Sequence, residues 1–255
     1  MNESYHALII GAGASQRLFH LTRKKPKSFL NIHDKKIIEY TLDYLNERSF
    51  KRVTMVVGYL SDLVIRTLGT QYKGLTIDYV VSKDYETTGH GYSIFLSRER
   101  WEKEKRPVVL IHADIFYHPS ILDRVLTSQY KDVIGVGVGV SGADAAVCAE
   151  GSRIIEMKKG MDQKDGMVGH LIGIARWSSE FMSGFYSFME EFFRQNGNNH
   201  NWEPVFDSYL SKKRPEVHYV DCNDLPWINI NYEKDYIFAK TELYDHILKK
   251  ESANV

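Results

Sequence analysis

The sequence predicts an α/β fold: a mixed, mostly parallel sheet flanked by helices. Three observations predict it. Short apolar runs alternate with helical patterns over residues 5 to 115. The runs read as buried strands, which an alternating β-α order joins into a parallel sheet covered on both faces. A glycine turn follows the first run and an aspartate follows the fourth, at the strand ends where such sheets hold ligands.

The elements follow in order. "HALIIGAG" is a buried strand ending at glycine, and "KKIIEYTLDYLNERSF" repeats Ile37, Tyr40, Leu42 and Leu45 at helical spacing. "RVTMVVGY" predicts a second strand and "SDLVIRTLGTQY" a helix capped by Ser61. "LTIDYVVS" and "RPVVLIHAD" add two strands around the amphipathic "GYSIFLSRERWEKEK". The second half is more mixed. "DVIGVGVGV", "DAAVCAEGSRIIEMKK" and "MVGHLIGIARW" read as strands, and "SSEFMSGFYSFMEEFFRQ" and "EPVFDSYLSKKR" as helices. "EVHYVDC" and "PWININ" are short strands before a last helix, "EKDYIFAKTELYDHILKKE". No repeat or linker interrupts the chain, so residues 1–255 are expected to form one domain on one continuous sheet.

Composition narrows the partners. The chain has 255 residues, with 33 Lys plus Arg against 33 Asp plus Glu, so no global field draws nucleic acid or an anionic membrane. No apolar run approaches the roughly 18 residues of a membrane span. "MNESYHALIIGAG" carries no secretory pattern. Cys148 and Cys222 lack metal or redox spacing, and the expectation is two buried, reduced thiols in a cytoplasmic protein.

The stretch "LIIGAGASQRLFHLTRKKPKSFL", residues 8 to 30, holds the main signal. A dinucleotide site needs G-x-G-x-x-G, but the third position is Gln16; the G-x-x-x-x-G-K-[ST] spacing of a P-loop is missing. The physical reading survives: Gly11 and Gly13 let the backbone approach a ligand, and turn N–H groups can cradle phosphate oxygens. Arg17 offers a planar fork and Lys27 a mobile point charge, complementary tools for a polyphosphate. Lys24 and Lys25 read as a solvated surface.

The run "IIGAGASQRLFHLTRKKPKSFLNIHDKKIIEYTLDYL" resembles the signature of nucleoside-diphosphate-sugar pyrophosphorylases and their cytidylyltransferase relatives, L-A-A-G-x-G-[ST]-R-L-x-x-L-T-x-x-x-P-K-x-L followed by an I-E-Y helix. Ala12, Gly13, Arg17, Leu18, Leu21, Thr22, Pro26, Lys27 and Leu30 fall in register, and "VVGYLSD", with Tyr59, matches after the second strand. Gly11, Ser15 and Gln16 depart from it. The resemblance implies a Rossmann-like, nucleotidyltransferase type A-like fold. It divides the chain at about residue 115 into a nucleotide-binding half (1–115) and an acceptor-binding half (116–255).

The resemblance also implies a reaction, in which an acceptor phosphate attacks the α-phosphorus of a nucleoside triphosphate and pyrophosphate leaves. Arg17 and Lys27 are then the catalytic residues; Gly11, Ala12, Gly13 and Tyr59 bind nucleotide. "ETTGHGYSI" resembles a base-contacting loop, which assigns Thr88 and Gly89 to the base. Asp114 is implied as a Mg2+ ligand. "PWININYEKDY" puts Asn229 and Asn231 where acids are commoner, and Asn231 is taken as the second ligand, with Asp221 and Asp224 as fallbacks. A neutral Asn carbonyl can ligate magnesium.

On the acceptor side, Lys158 is a candidate for the phosphate. Tyr92, Trp177 and Trp202 are candidates for an aromatic cage around a quaternary ammonium, and Glu203 for an amine. His90 and His112 lie near the site without zinc-ligand spacing. The expected partners are a nucleoside triphosphate, with CTP favoured, and a small phosphate monoester, feeding surface glycan or capsule synthesis. No nucleic acid or membrane is expected, and a homodimer is compatible. Two alternatives share the fold: a sugar-1-phosphate uridylyl- or guanylyltransferase, and a non-catalytic nucleotide-binding regulator, which Asn at both late positions would suit.

Overall fold

The computed structural model describes residues 5–14, 16–139, 144–160 and 165–248. Its strands, in chain order, are β1 (His6–Gly11), β2 (Asn31–Ile32), β3 (Lys35–Lys36), β4 (Arg52–Val57), β5 (Gln71–Tyr72), β6 (Leu75–Val81) and β7 (Val108–His112), then β8 (Ile115–Tyr117), β9 (Val133–Gly137), β10 (Ala146–Glu150), β11 (Arg153–Lys158), β12 (Met167–Trp177), β13 (His218–Asp221) and β14 (Trp227–Asn229). Ten of them form one sheet, in the order β10-β11-β13-β9-β12-β7-β1-β4-β6-β5.

The parallel part is the run β7-β1-β4-β6, built from the buried apolar stretches of the first half. Side chains alternate between its two faces, as a strand period of two requires. Ala7, Ile9, Val53, Met55, Val109 and Ile111 pack on one core with the helix Ile37–Glu47. Leu8, Ile10, Val56, Val108 and Leu110 pack on the other, with the helices Ser179–Asn196 and Trp202–Lys213. Each fully buried Leu or Ile contributes roughly 1.5–3 kcal/mol, and both faces are covered.

The second half is antiparallel in the main. β12 pairs antiparallel with β7, β9 and β10, and β10 also pairs with β11, so β10-β11-β13-β9-β12 close on themselves beside the parallel part. β13 lies parallel to β9.

Local details depart from the sequence reading. Ser61 does not cap its helix; the position before it, Leu60, is in the left-handed region (φ 52°) and Ser61 is the first helical residue. "GYSIFLSRERWEKEK" forms two helices, His90–Leu96 and Arg98–Glu102, parted at Ser97, whose hydroxyl donates to Ile94 O. β14 lies within the strand expected at "PWININ", but its antiparallel partner β8 was not anticipated, since three residues are too few to show a period. The last helix runs as Glu233–Phe238 and Tyr244–Leu248 around a wide turn at Ala239–Leu243, and residues 249–251 lie outside the described residues. Both cysteines are buried, and neither forms a disulfide among the described residues. Among the described residues no helix is long and apolar enough to cross a membrane.

Candidate active site

β1 leads to β4 on one side and β7 leads on to β9 on the other, so the chain parts between the carboxyl ends of β1 and β7. Open α/β sheets bind ligands at that parting. A cleft of about 480 Å³ lies there. Gly11, Ala12, Gly13, Arg17 and Lys27 line it from the first half, as do Thr88, Gly89 and Asp114; Glu203 and Asn231 line it from the second.

The wall expected to take the nucleotide comes from one contiguous segment. Gly11 is required by packing: a Cβ there would stand 2.8 Å from the Ala113 Cβ, so glycine lets the ends of β1 and β7 close together. A Cβ on Gly13 would meet nothing within 4 Å, which leaves its backbone open toward the cleft. Ser15 lies outside the described residues. Leu18 and Thr22 are buried, and the Thr22 hydroxyl donates to Leu18 O (2.9 Å), anchoring the turn that presents Arg17. Pro26 precedes the single turn Lys27–Phe29, which turns Lys27 back to the strand ends. Tyr59 does not line the cleft. Its hydroxyl donates to Thr22 O (3.2 Å) and Arg23 O (3.0 Å) and its N–H to Ala12 O (3.0 Å), so it braces the loop from behind. Lys24 and Lys25 also lie outside the cleft lining.

Lys27 Nζ pairs with Asp114 Oδ2 at 2.5 Å. Burial alone would raise the Asp114 pKa, but the Lys27 ammonium outweighs it and holds the carboxyl down at about 2. A permanently ionised acid and a lysine thus share the strand ends. Arg17 donates to Asn231 Oδ1 (3.1 Å) and to the Tyr232 hydroxyl (3.2 Å), with its guanidinium carbon 5.0 Å from the Tyr232 ring centre. Asn231 and Tyr232 are held in turn by Asp235 Oδ2, which accepts both backbone N–H groups (2.9 and 2.8 Å).

The second metal-ligand position needs correction. Asn231 Oδ1 is already engaged by Arg17, whereas Asn229 is buried and its Oδ1 has no hydrogen-bond partner among the described residues. Its Nδ2 donates to Asp144 Oδ1 (2.7 Å). β8 holds Asn229 opposite Ile115, and Ile230 N donates to Asp114 O (3.0 Å), so Asn229 sits beside Asp114. An orphaned buried carbonyl next to two carboxylates suits a hard cation, which takes oxygen ligands and keeps waters or phosphates in its remaining positions. Asp114 and Asn229, with Asp144, therefore fit magnesium. The fallbacks do not: Asp224 is bound by Arg124 (2.5 and 2.7 Å), Asp221 Oδ1 accepts from Asn223 N, and neither lines the cleft.

The acceptor wall is assembled from distant segments. Gly89 is required here by close approach: a Cβ would stand 2.1 Å from His200 O, and Gly89 N donates to Asn198 O (2.9 Å). This contact brings Asn199, Asn201 and Glu203 to the cleft. Thr88 lines the cleft, but its hydroxyl donates to Asp84 O (2.9 Å), leaving its lone pairs to face a ligand. Glu203 is 2% exposed; it pairs with Lys159 Nζ at 3.0 Å and lies 3.3 Å from His90 Nε2.

Four acceptor candidates lie elsewhere. Lys158 pairs with Glu156 (2.6 Å) outside the cleft, and the lining lysine is its neighbour Lys159. Lys158 is the last residue of β11 and Lys159 begins the turn after it, so an error of one position moved the prediction out of the site. Trp202 is fully buried and its indole N–H donates to His112 Nε2 (2.8 Å). Tyr92 packs on Phe95 and Phe193, and Trp177 is likewise fully buried. Among the described residues Tyr85 is the lone Phe, Tyr or Trp in the lining, so these aromatic residues build core and no cage. Asp144, Lys159, Asn199 and Asn201 were missed because nothing in their local sequence marks them. His90 and His112 carry no charge near neutral pH, since burial lowers both pKa values, that of His112 to about 4.

A family model described as nucleotidyl transferase matches residues 6–142, more than half of the chain. The chain belongs to the nucleotidyl transferase family. It is 31% identical over 128 residues to CMP-5'-(3-aminopropyl)phosphonate synthase of Streptomyces rubellomurinus, a match that covers 50% of this chain and 20% of that protein. It is 24% identical to CTP:phosphoglutamine cytidylyltransferase of Campylobacter jejuni, over 90% of this chain and 97% of that one. It is also 24% identical to D-glycero-alpha-D-manno-heptose 1-phosphate guanylyltransferase of Aneurinibacillus thermoaerophilus, over 94% and 99%. Among solved structures, the inositol-1-phosphate CTP transferase of T. maritima superposes with a TM-score of 0.75 at 22% identity, covering 94% of this chain and 96% of that one. That likeness concerns the fold.

Proposed function

We propose that the chain transfers CMP from CTP to the phosphate of a small acceptor, with magnesium, and releases pyrophosphate. The observation that carries this reading is the Lys27–Asp114 pair at the parting of β1 and β7, with Arg17 and the open Gly13 backbone beside it. An oxygen of the acceptor phosphate attacks the α-phosphorus, a new P–O bond forms, and the bond to the bridging oxygen of the β-phosphate breaks. No protein nucleophile is needed; the reaction asks for alignment and charge neutralisation. Lys27 and Arg17 supply the positive charge, and the Gly13 turn lets phosphate oxygens come close to the backbone. Asp114 and Asn229, with Asp144, would hold magnesium, which when bound screens phosphate charge and fixes the orientation of the oxygens.

CTP is favoured because two of the relatives named above carry cytidine nucleotides in their names, one of them matched along nearly its whole length. The heptose 1-phosphate relative, matched equally fully, supports GTP with a sugar phosphate as the second reading. Pyrophosphate release measured with each of the four ribonucleoside triphosphates, Mg2+ and a panel of amino- and sugar-phosphate monoesters decides between them. Turnover confined to CTP is expected. Turnover confined to GTP or UTP with hexose or heptose 1-phosphates would replace it with the second reading, and nucleotide binding without turnover would indicate a regulator.

A further inference from the structure

Glu203 lies in the first turn of the helix Trp202–Lys213, where an acid interacts favourably with the exposed backbone N–H groups. A helix-capping acid elsewhere in the molecule shows what that role looks like: Asp235 accepts two backbone N–H groups. Glu203 differs. Its side chain is 3% exposed and lines the cleft, yet among the described residues Oε2, itself closed to solvent, accepts no hydrogen bond. Trp202 N donates a long bond (3.5 Å) to His90 Nδ1, which puts the proton of the neutral ring on Nε2. That nitrogen faces Oε2 at 3.3 Å without the alignment of a hydrogen bond.

Burial raises the Glu203 pKa, but His90 and Lys159 beside it bring it below the usual glutamate value, so the carboxylate is ionised. Among the described residues its formal counter-charge is Lys159, whose side chain is 45% exposed. A buried carboxylate with an unused oxygen is costly unless a donor reaches it. The cleft around it is lined by the amides of Asn199 and Asn201.

We infer that Glu203 and Lys159 select an acceptor bearing an N–H-carrying ammonium and an acid oxygen, the ammonium taking the Glu203 carboxylate and the acid oxygen taking Lys159. This inference rests on the transfer reading above and names its acceptor class. A quaternary ammonium is disfavoured on two grounds. It has no N–H to donate to the Glu203 carboxylate, and the rings that would cage it are buried in the core. The acid oxygen comes from the acceptor's own phosphate or from a carboxylate, and both arms are tested.

The test compares phosphoethanolamine, its N-methyl and N,N-dimethyl forms, phosphocholine, O-phosphoserine and glucose 1-phosphate, each with all four nucleoside triphosphates, so base and acceptor preferences are read separately. The expected result is a drop in kcat/KM on the order of tenfold or more at the last methylation, where the N–H is lost, with glucose 1-phosphate poorer still. Phosphocholine or glucose 1-phosphate used as well as phosphoethanolamine overturns the inference. Glu203→Gln should raise the acceptor KM on the order of 10- to 100-fold without raising the CTP KM. If Lys159 takes a carboxylate, O-phosphoserine outperforms phosphoethanolamine and Lys159→Met abolishes the advantage. If it takes the phosphate, Lys159→Met raises KM for both alike. Should Glu203→Gln fail to fold, the methylation series on the native protein stands alone. If no mixture turns over, the transfer reading fails. Calorimetric titration of phosphoethanolamine and phosphocholine into the protein then decides the inference, which equal affinity, or binding of neither, overturns.

Discussion

The two walls of the cleft are each built around one lysine and one carboxylate, and they differ in how they are made. Lys27 and Asp114 (2.5 Å) belong to the nucleotide wall, where residues 11 to 27 supply most of the cationic and backbone groups in one pass of the chain. Lys159 and Glu203 (3.0 Å) belong to the acceptor wall, which gathers residues from near positions 89, 144, 159 and 200. On the proposed function the first wall meets a triphosphate, whose chemistry is the same whatever the acceptor, and a compact motif can encode it. The second must match one acceptor, and its groups come from segments held together only by packing.

Four substitutions test that contrast. The largest effect is expected from Lys27→Ala. Without its ammonium the developing phosphate charge is unscreened and Asp114 loses its partner, so kcat should fall on the order of 10²- to 10³-fold. Loss of only a few fold would show that Arg17 carries the wall alone. Gly89→Ala comes next. Its Cβ collides with backbone at His200 O (2.1 Å), so the 198–201 segment must shift. A displacement near 1 Å can cost on the order of 10²-fold in a positioned reaction. The acceptor KM should rise steeply while the nucleotide KM moves little; equal changes in both would show that the walls are mechanically coupled.

The smallest effect is expected from Asn229→Asp. It replaces the orphaned carbonyl by a carboxylate beside Asp114, and the Mg2+ concentration for half-maximal activity should fall several-fold. Asn231→Asp is the comparison. Its acid would pair with Arg17 and raise the nucleotide KM instead, because Oδ1 of Asn231 already faces that guanidinium. If Asn231→Asp were the variant that tightens magnesium, the assignment of Asn229 would be wrong.

The sequence by itself determined the parallel half of the sheet, because strands buried on both faces must be apolar runs and the helices between them show their period. It also determined the grouping of Gly13, Arg17 and Lys27, since a phosphate turn is local and its spacing survives in one dimension. Tertiary structure decided everything that depends on which way a side chain faces at the end of a strand. Lys158 and Lys159 are one residue apart, and Asn229 and Asn231 two, yet in each pair a different neighbour claims the side chain. Tyr59, Tyr92 and Trp202 read as ligand contacts in the sequence because an aromatic ring in a brace, in a core and in a binding site looks the same there. Only the packing of the distant segments against one another shows that the rings face inward and that Glu203 and Lys159 face the cleft.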